Sequence, residues 1–522
     1  MVKIGEVVCS LELPTHRDVL VQFMENHEPR AGEFVEIRDD KLGKNFIAKI
    51  TRPHKYSEYY VDRRVIDVTL RSTRDSRMLI PTTGTYRVGV ARILGIIDEN
   101  NVIQFTGDVP EPGAEVHAIS ENRLKNVLGF KEDGLRIGYL TDYPNIEVRL
   151  DADIFVEEHS VTCGVTRWGK SYTNAVIIEE LVKKGIAVLI IDPHGEYSSF
   201  QVPNDKPEEI RELPPDLKPR AFHTTMFSPP GFSHNGTREL NIRFSDLEPE
   251  EIVELLNVTG ENQIAVIYEA AKMLEGKSYD VEMFIKAMRL AREKLKISAS
   301  IESVAARLRV LQSGLGIFGK GTDPRELIRE GQISIVNLSG LDIRAQRILV
   351  ACLLRRLYHE RQYGNIPEFA VFIDEAQRFA PHIGEPISKK VINTLVREGL
   401  KFGISVHVIL QRPTELSEVV RGEAGTKIFH RLIESSEIKY ASNVLEVTAP
   451  ELVDALPRLS RGEVIIVGGC TNYIPIRVKV RPRQSKHIGR RGEMIRRRKL
   501  SSAREVKTSE DKTSVDLYSF FA

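Results

Sequence analysis

The sequence predicts an α/β fold with two additions: a parallel sheet flanked by helices, a small β unit ahead of it, and a helical insertion within it. Three observations carry that expectation. Residues 1 to about 145 show short alternating runs broken by turn signals. From about 150, short apolar strands alternate with helical stretches, the pattern of a parallel α/β sheet. Between about 245 and 320 the apolar residues recur at helical spacing instead.

Each element follows from its own residues. Alternating runs at 18–23, 33–37 and 86–90, with the turn Glu111-Pro112-Gly113, predict a small β-barrel or sandwich. Continuous apolar runs at 160–163, 187–191, 333–337, 369–373 and 406–410 predict buried strands. Helical periodicity over 249–256, 262–274, 281–295 and 301–311 predicts a compact helical subdomain. The expected division is a barrel over 1–145, a core in two parts over 146–244 and 321–480, the insertion over 245–320, and a tail over 481–522.

Length and composition narrow the class. A chain of 522 residues, 41% hydrophobic and 28% charged, reads as a soluble protein of two to four domains. Its apolar runs, such as 187–191, fall far short of the ~20 residues that span a bilayer. The opening Met1-Val2-Lys3-Ile4-Gly5-Glu6 leads straight into strand-like sequence, without a secretion signal. A cytoplasmic location with no membrane partner is therefore expected. Cys9, Cys163, Cys352 and Cys470 lie far apart without zinc spacing and read as reduced, buried thiols. The net charge of +1 conceals a split: Arg477 to Lys499 holds eleven basic residues and one acid, +10, leaving −9 for the remainder.

The chemistry is concentrated at strand ends. Gly164-Val165-Thr166-Arg167-Trp168-Gly169-Lys170-Ser171 fits G-x-x-x-x-G-K-[ST], a loop whose backbone N–H groups cradle phosphates at the start of a helix that continues through Tyr172. Lys170 is expected to reach the β- and γ-phosphates of ATP, and the Ser171 hydroxyl to bind Mg²⁺. The run 369–373 ends in Asp374-Glu375, placing Asp374 as a metal ligand and Glu375 as general base toward water. A second carboxylate there favours hydrolysis over binding alone. Gln411, at the end of 406–410, is placed to sense the γ-phosphate or polarise the water. The turn Asp192-Pro193-His194-Gly195-Glu196-Tyr197 is expected beside the nucleotide, because strand C-terminal ends face the ligand in open α/β sheets.

Taken together these residues resemble the HerA family, hexameric DNA translocases of the HerA/FtsK branch of RecA-like ATPases. The resemblance includes the leading barrel (HAS-barrel-like), His159, the Asp192–Tyr197 turn and the insertion. It continues through Asp374-Glu375-Ala376, Arg397-Glu398-Gly399-Leu400, Gln411-Arg412-Pro413 and Gly462-Glu463-Val464-Ile465-Ile466. It implies a RecA-like P-loop ATPase core with an N-terminal small β-barrel and a helical-bundle insertion. It further implies a homohexamer around double-stranded DNA and partnership with a NurA-type nuclease in DNA end resection. Two departures stand out: Arg167 and Trp168 replace small residues, and Leu400 replaces the arginine that acts in trans on the neighbour's nucleotide. The Arg167 and Trp168 side chains are expected to point outward, and Arg397, with Arg412 as alternative, to supply the missing charge. Arg378, Lys389, Lys390 and Arg421 are the expected DNA-phosphate contacts. Because of Leu400, an ATP-gated ring scaffold that recruits a nuclease or clamp without moving is the alternative function.

After Val480 the chain turns polar and basic and is expected to stay disordered. Its end, 514–521, resembles the clamp-binding peptide of replication proteins, with Leu517, Phe520 and Phe521 as the plug for the sliding clamp PCNA and Ser514 where glutamine is usual.

Overall fold

The computed structural model describes residues 2–8, 15, 17–57, 85–97, 103–104, 106–232, 236–298, 301–315, 317–445 and 449–487. Cys9 and the terminal peptide with Leu517, Phe520 and Phe521 lie outside the described residues. No helix among the described residues is long and apolar enough to cross a membrane.

Seven strands form the N-terminal unit: β1 (Lys3–Val8), β2 (Asp18–Phe23), β3 (Phe34–Asp39), β4 (Lys44–Ser57), β5 (Thr85–Ile97), β6 (Ile103–Gln104) and β7 (Glu115–Ala118). Their order β2-β1-β7-β3-β4-β5 closes through a β2–β5 pairing, so a six-stranded barrel results, with β6 appended to β5. Closure removes the open edges that a small sheet would expose. Alternate residues point inward, and Val19, Val21, Val35, Ile37, Phe46, Ala48 and Val116 fill the barrel core.

The second sheet has twelve strands. They are β8 (Leu135–Leu140), β9 (Glu147–Leu150), β10 (Ser160–Cys163), β11 (Ala187–Asp192), β12 (Thr224–Ser228), β13 (Arg238–Glu239), β14 (Ile333–Asn337), β15 (Phe369–Asp374), β16 (Ile404–Leu410), β17 (Thr426–Phe429), β18 (Glu463–Val467) and β19 (Ile476–Val480). Their order is β13-β12-β14-β11-β15-β16-β10-β17-β18-β19-β8-β9. The run from β13 to β17 is parallel, and the remainder is antiparallel. Every residue of β11, β15 and β16 is buried, as a parallel sheet covered on both faces requires. Even His407 of β16 is at home there, stacked on Phe155 (4.9 Å) and Phe372 (4.6 Å) and hydrogen-bonded to Ser160 and Ser405.

Helices complete the core: α1 (Lys170–Lys183), α2 (Pro249–Leu256), α3 (Glu261–Met273), α4 (Val281–Leu295), α5 (Ile301–Leu315), α6 (Ile343–Gln362), α7 (Ile387–Glu398), α8 (Ser435–Leu445) and α9 (Pro450–Ala455). The four helices α2 to α5 form the insertion, within a few residues of the spans that periodicity predicts. A capping box between Glu248 and Glu251 starts α2, and Asp280 caps α4. Arg355 of α6 donates to the buried Glu251 at 3.0 Å and ties insertion to core.

Two expectations about boundaries are corrected. The barrel strands end at Ala118, and the expected boundary at 145 falls inside the β8–β9 hairpin, which belongs to the large sheet. The cause is a pairing of β8 with β19, Leu140 opposite Val478, that local alternation cannot reveal. The tail does not begin at 481 either. Arg481, Arg483, Gln484 and Ser485 are buried, and Glu179 of α1 accepts the backbone N–H groups of Gln484 (3.0 Å) and Ser485 (2.9 Å). Charge pairing, not apolar burial, orders this strap: Arg481 also donates to Glu180 at 2.7 Å, and Lys486 pairs with Asp205 at 2.5 Å. Part of the basic run therefore neutralises acids of the same chain.

Candidate active site

The site lies where β10, β16, β15 and β11 leave the sheet. Cys163 is level with Leu410, Asp374 with Ile409, and Ile191 with Ile373. The phosphate loop, Gln411, Asp374-Glu375 and the Asp192–Tyr197 turn therefore emerge at one edge, as open α/β sheets place their ligands.

The loop from Gly164 to Gly169 turns into α1 through two glycines at positive φ, +148° and +109°. At Gly164 an added Cβ would stand 2.5 Å from the Cβ of His430, the residue after β17. His430 is fully buried beneath the loop, its Nδ1–H donating to the Trp168 carbonyl at 3.2 Å. Burial and the nearby Lys170 charge push its pKa down to about 3. Val165 N–H donates to the Arg431 carbonyl at 2.9 Å. Arg167 is exposed, with φ +67°. Trp168 departs from the expected outward orientation: its Nε1–H donates to the Leu459 carbonyl at 2.9 Å, and the Arg431 guanidinium lies 4.7 Å over its ring. A large aromatic gains by burying its face and bonding its N–H, which solvent exposure would forfeit. Thr166 is exposed, and Tyr172, one turn into α1, bonds Glu209 (3.0 Å) and accepts Arg483 N–H (2.9 Å).

Lys170 is buried, and its ammonium donates to the carbonyls of Gly164 (2.9 Å) and Val165 (3.3 Å). Burial lowers its pKa, while Glu375, Asp374 and Glu196 oppose that shift. Across from it, burial and the charges of Asp192, Glu375 and Glu196 hold the Asp374 carboxyl well above the carboxylate range. Asp192 is also raised by burial, against the backbone N–H groups of His194, Gly195 and Tyr197 that it accepts. Such crowding of carboxylates around one lysine is relieved by a cation. Tyr197 is also buried here, its hydroxyl without a closed hydrogen bond. These features fit a phosphate and Mg²⁺. Among the described residues no three His, Cys, Asp or Glu are grouped to hold a metal, so Ser171 and Asp374 would hold it with water and phosphate, as Mg²⁺ prefers.

Glu375 takes a left-handed backbone, φ +47°, which costs an L-residue about 1–2 kcal/mol. Its carboxylate accepts from Gln377 Nε2 (2.6 Å) and Gln411 Nε2 (3.3 Å). Strain of this kind collects at functional sites. Sequence reasoning found Gln411 and placed the turn ending in Tyr197 beside the nucleotide, but missed Gln377 and His430. No motif marks these two: His430 meets the phosphate loop only across the sheet, and Gln377 lies two residues past Glu375, where no spacing rule singles it out.

The outlying candidates fare differently. Arg397, at the end of α7, is exposed, as are Leu400, Lys390 and Arg412. His159 supports that end of α7, its Nε2–H donating to the Val396 carbonyl at 2.9 Å while Nδ1 accepts from Val406 N–H at 2.9 Å. Lys389 is not available to DNA: it is buried and donates to the carbonyls of His382 (3.3 Å) and Gly384 (3.0 Å) and to Glu385 (2.6 Å). Its charge braces the loop before α7. Arg378 donates to Gln346 at 3.2 Å, and Arg421 lies over the Tyr440 ring at 5.8 Å beside Glu418. Both are partly buried.

Known proteins resemble this chain in sequence. Residues 135–357 match the family model of the helicase HerA central domain. The chain is 26% identical over 443 residues to the DNA double-strand break repair helicase HerA of Pyrococcus furiosus, covering 73% of this chain and 75% of that protein. It is likewise 26% identical over 412 residues to the protein of the same name from Sulfolobus acidocaldarius, covering 77% and 79%. Among solved structures, the bacterial conjugative coupling protein TrwB superposes with a TM-score of 0.48 at 14% identity, over 71% of this chain and 95% of that one. The phosphate loop at the end of a parallel strand gives the core a P-loop fold, and residues 135–357 match the helicase HerA central-domain model within a chain that resembles the HerA repair helicases over most of its length.

Proposed function

We propose that this protein hydrolyses ATP with Mg²⁺ to translocate duplex DNA, as a homohexameric ring working with a NurA-type nuclease in DNA end resection and double-strand break repair. The observation that carries the reading is the convergence of Lys170, Asp374, Glu375 and Gln411 at one sheet edge, with Gln411 bonded to Glu375. The names of the relatives, DNA double-strand break repair helicases, supply the substrate.

In this reading the loop N–H groups and Lys170 bind the triphosphate, Lys170 exchanging its carbonyl partners for phosphate oxygens. Bound Mg²⁺ supplies charge that offsets the phosphates. Glu375 accepts the proton of the attacking water, with Gln411 and Gln377 fixing its carboxylate. Arg397, exposed at the end of α7, reaches a neighbouring subunit's nucleotide in place of the arginine that Leu400 replaces. Exposed Lys390 and half-buried Arg378 and Arg421 contact DNA phosphates without reading sequence. The terminal peptide offers a sliding clamp such as PCNA its Leu517, Phe520 and Phe521.

A competing reading is an ATP-gated scaffold that recruits a nuclease or clamp without processive movement. The exposed Leu400, where a charged finger is usual, favours it. Duplex ends should stimulate ATP hydrolysis, and Lys170→Ala and Glu375→Gln should each abolish it, a general base contributing about 10²–10⁴-fold. Hydrolysis that proceeds without displacing a triplex strand would leave the scaffold reading and remove the motor.

A further inference from the structure

Tyr197 ends the turn that begins at Asp192 and is 2% exposed. Its hydroxyl lies beside the Ser171 hydroxyl, in the field of Asp374 and Asp192, yet closes no well-formed hydrogen bond among the described residues. A buried phenol ordinarily finds a partner, because one left unpaired has given up its bonds to water for nothing. The ring itself is firmly placed. Its backbone N–H is held by the Asp192 carboxylate at 3.0 Å, and its ring stacks on Phe200 at 6.4 Å. Phe200 in turn carries the Arg483 guanidinium of the strap 4.6 Å from its centroid. Phenylalanine would keep every one of these contacts and leave no orphaned oxygen, so packing does not account for the hydroxyl.

We propose that Tyr197 is a positioning residue for the cation: its hydroxyl donates to Ser171 Oγ and fixes the serine rotamer whose free lone pair faces the metal. Phe200, itself packed under Arg483, keeps the ring in place. The inference rests on the Mg-ATP reading of the site.

Equilibrium dialysis with a labelled non-hydrolysable ATP analogue, standing for ATP throughout, tests it on the full chain. Affinity is measured first in excess chelator and then against rising Mg²⁺, for the wild type and Tyr197→Phe, with thermal midpoints recorded for both. The expected result is a Tyr197→Phe protein that melts like the wild type and binds metal-free ATP equally well. Its Mg²⁺ requirement for tightening should rise about tenfold, the low end of what losing a group behind a metal ligand costs. Tyr197→Leu, which removes the ring as well, should lower the thermal midpoint and metal-free binding together. A Tyr197→Phe protein with an unchanged Mg²⁺ titration, or one weakened equally with and without metal, overturns the inference while the nucleotide site stands. If the wild type binds no ATP at all, the underlying reading fails and the inference falls with it.

Discussion

Gly164 shows how closely single residues are constrained at the phosphate loop. Its φ of +148° disfavours other residues, and a Cβ there would collide with the Cβ of His430 at 2.5 Å. Gly164→Ala should therefore cost about 1–3 kcal/mol in thermal or denaturant stability, as overpacking does, and weaken ATP binding. Adding His430→Ala should not rescue it, because alanine retains the offending Cβ; recovery of binding in the double variant would show that the clash is not the cause. Trp168 is the chain's single tryptophan and sits in the same loop, bonded to Leu459. Its emission is expected to change on adding Mg-ATP, and an unaltered spectrum at saturating nucleotide would count against the loop assignment.

At the scale of elements, the strap 481–487 behaves as part of the core. Glu179 is fully enclosed and has Arg481, Arg483, Gln484 and Ser485 as partners. Truncation after Val480 removes all four and strands a buried carboxylate, a loss of about 3–5 kcal/mol that chemical denaturation can measure. Truncation after His487 should leave stability near that of the full chain. The second cut, not the first, is the one that isolates any contribution of the remaining basic residues to DNA binding, read as a smaller salt slope. Equal stability of the two truncations would contradict the role given to the strap.

For the whole molecule, three histidines in or beside the central sheet set an acid limit. Burial lowers the pKa of His159 to about 4 and those of His407 and His430 to about 3, from 6.5. Each is neutral when folded and takes up a proton sooner when unfolded, so the unfolded chain binds more protons below about pH 6.5. Stability should fall as pH drops through that value, by up to about 1.4 kcal/mol per pH unit for each histidine, with His159 ceasing to contribute below about 4. Asp374 and Asp192, whose pKa values are raised, work in the opposite sense, so the test compares denaturation midpoints between pH 7 and 5 for the wild type and His159→Gln. The variant should lose less stability on acidification, and an identical pH slope would refute the histidine contribution. The barrel is joined to this sheet system by Lys49 of β4, which pairs with Glu451 of α9 at 2.8 Å and is almost fully enclosed, so the two units meet through a partly desolvated charge.

The strands 160–163, 187–191, 333–337 and 369–373 and the four insertion helices were legible because apolar periodicity is a local property of the chain. The phosphate loop and Asp374-Glu375 were legible because phosphate and metal chemistry demand fixed residue types at short spacing. What only the tertiary structure decided depends on partners distant in sequence. The β8–β19 pairing moves a barrel boundary, Glu179 orders residues that look too polar to fold, and Glu385 with two loop carbonyls takes up the charge of Lys389. Sequence by itself thus determined the class of fold and the candidates for the reacting groups. Tertiary contacts decided which charges remain free to act, because neutralisation and burial depend on distance in space, and chain separation does not report it.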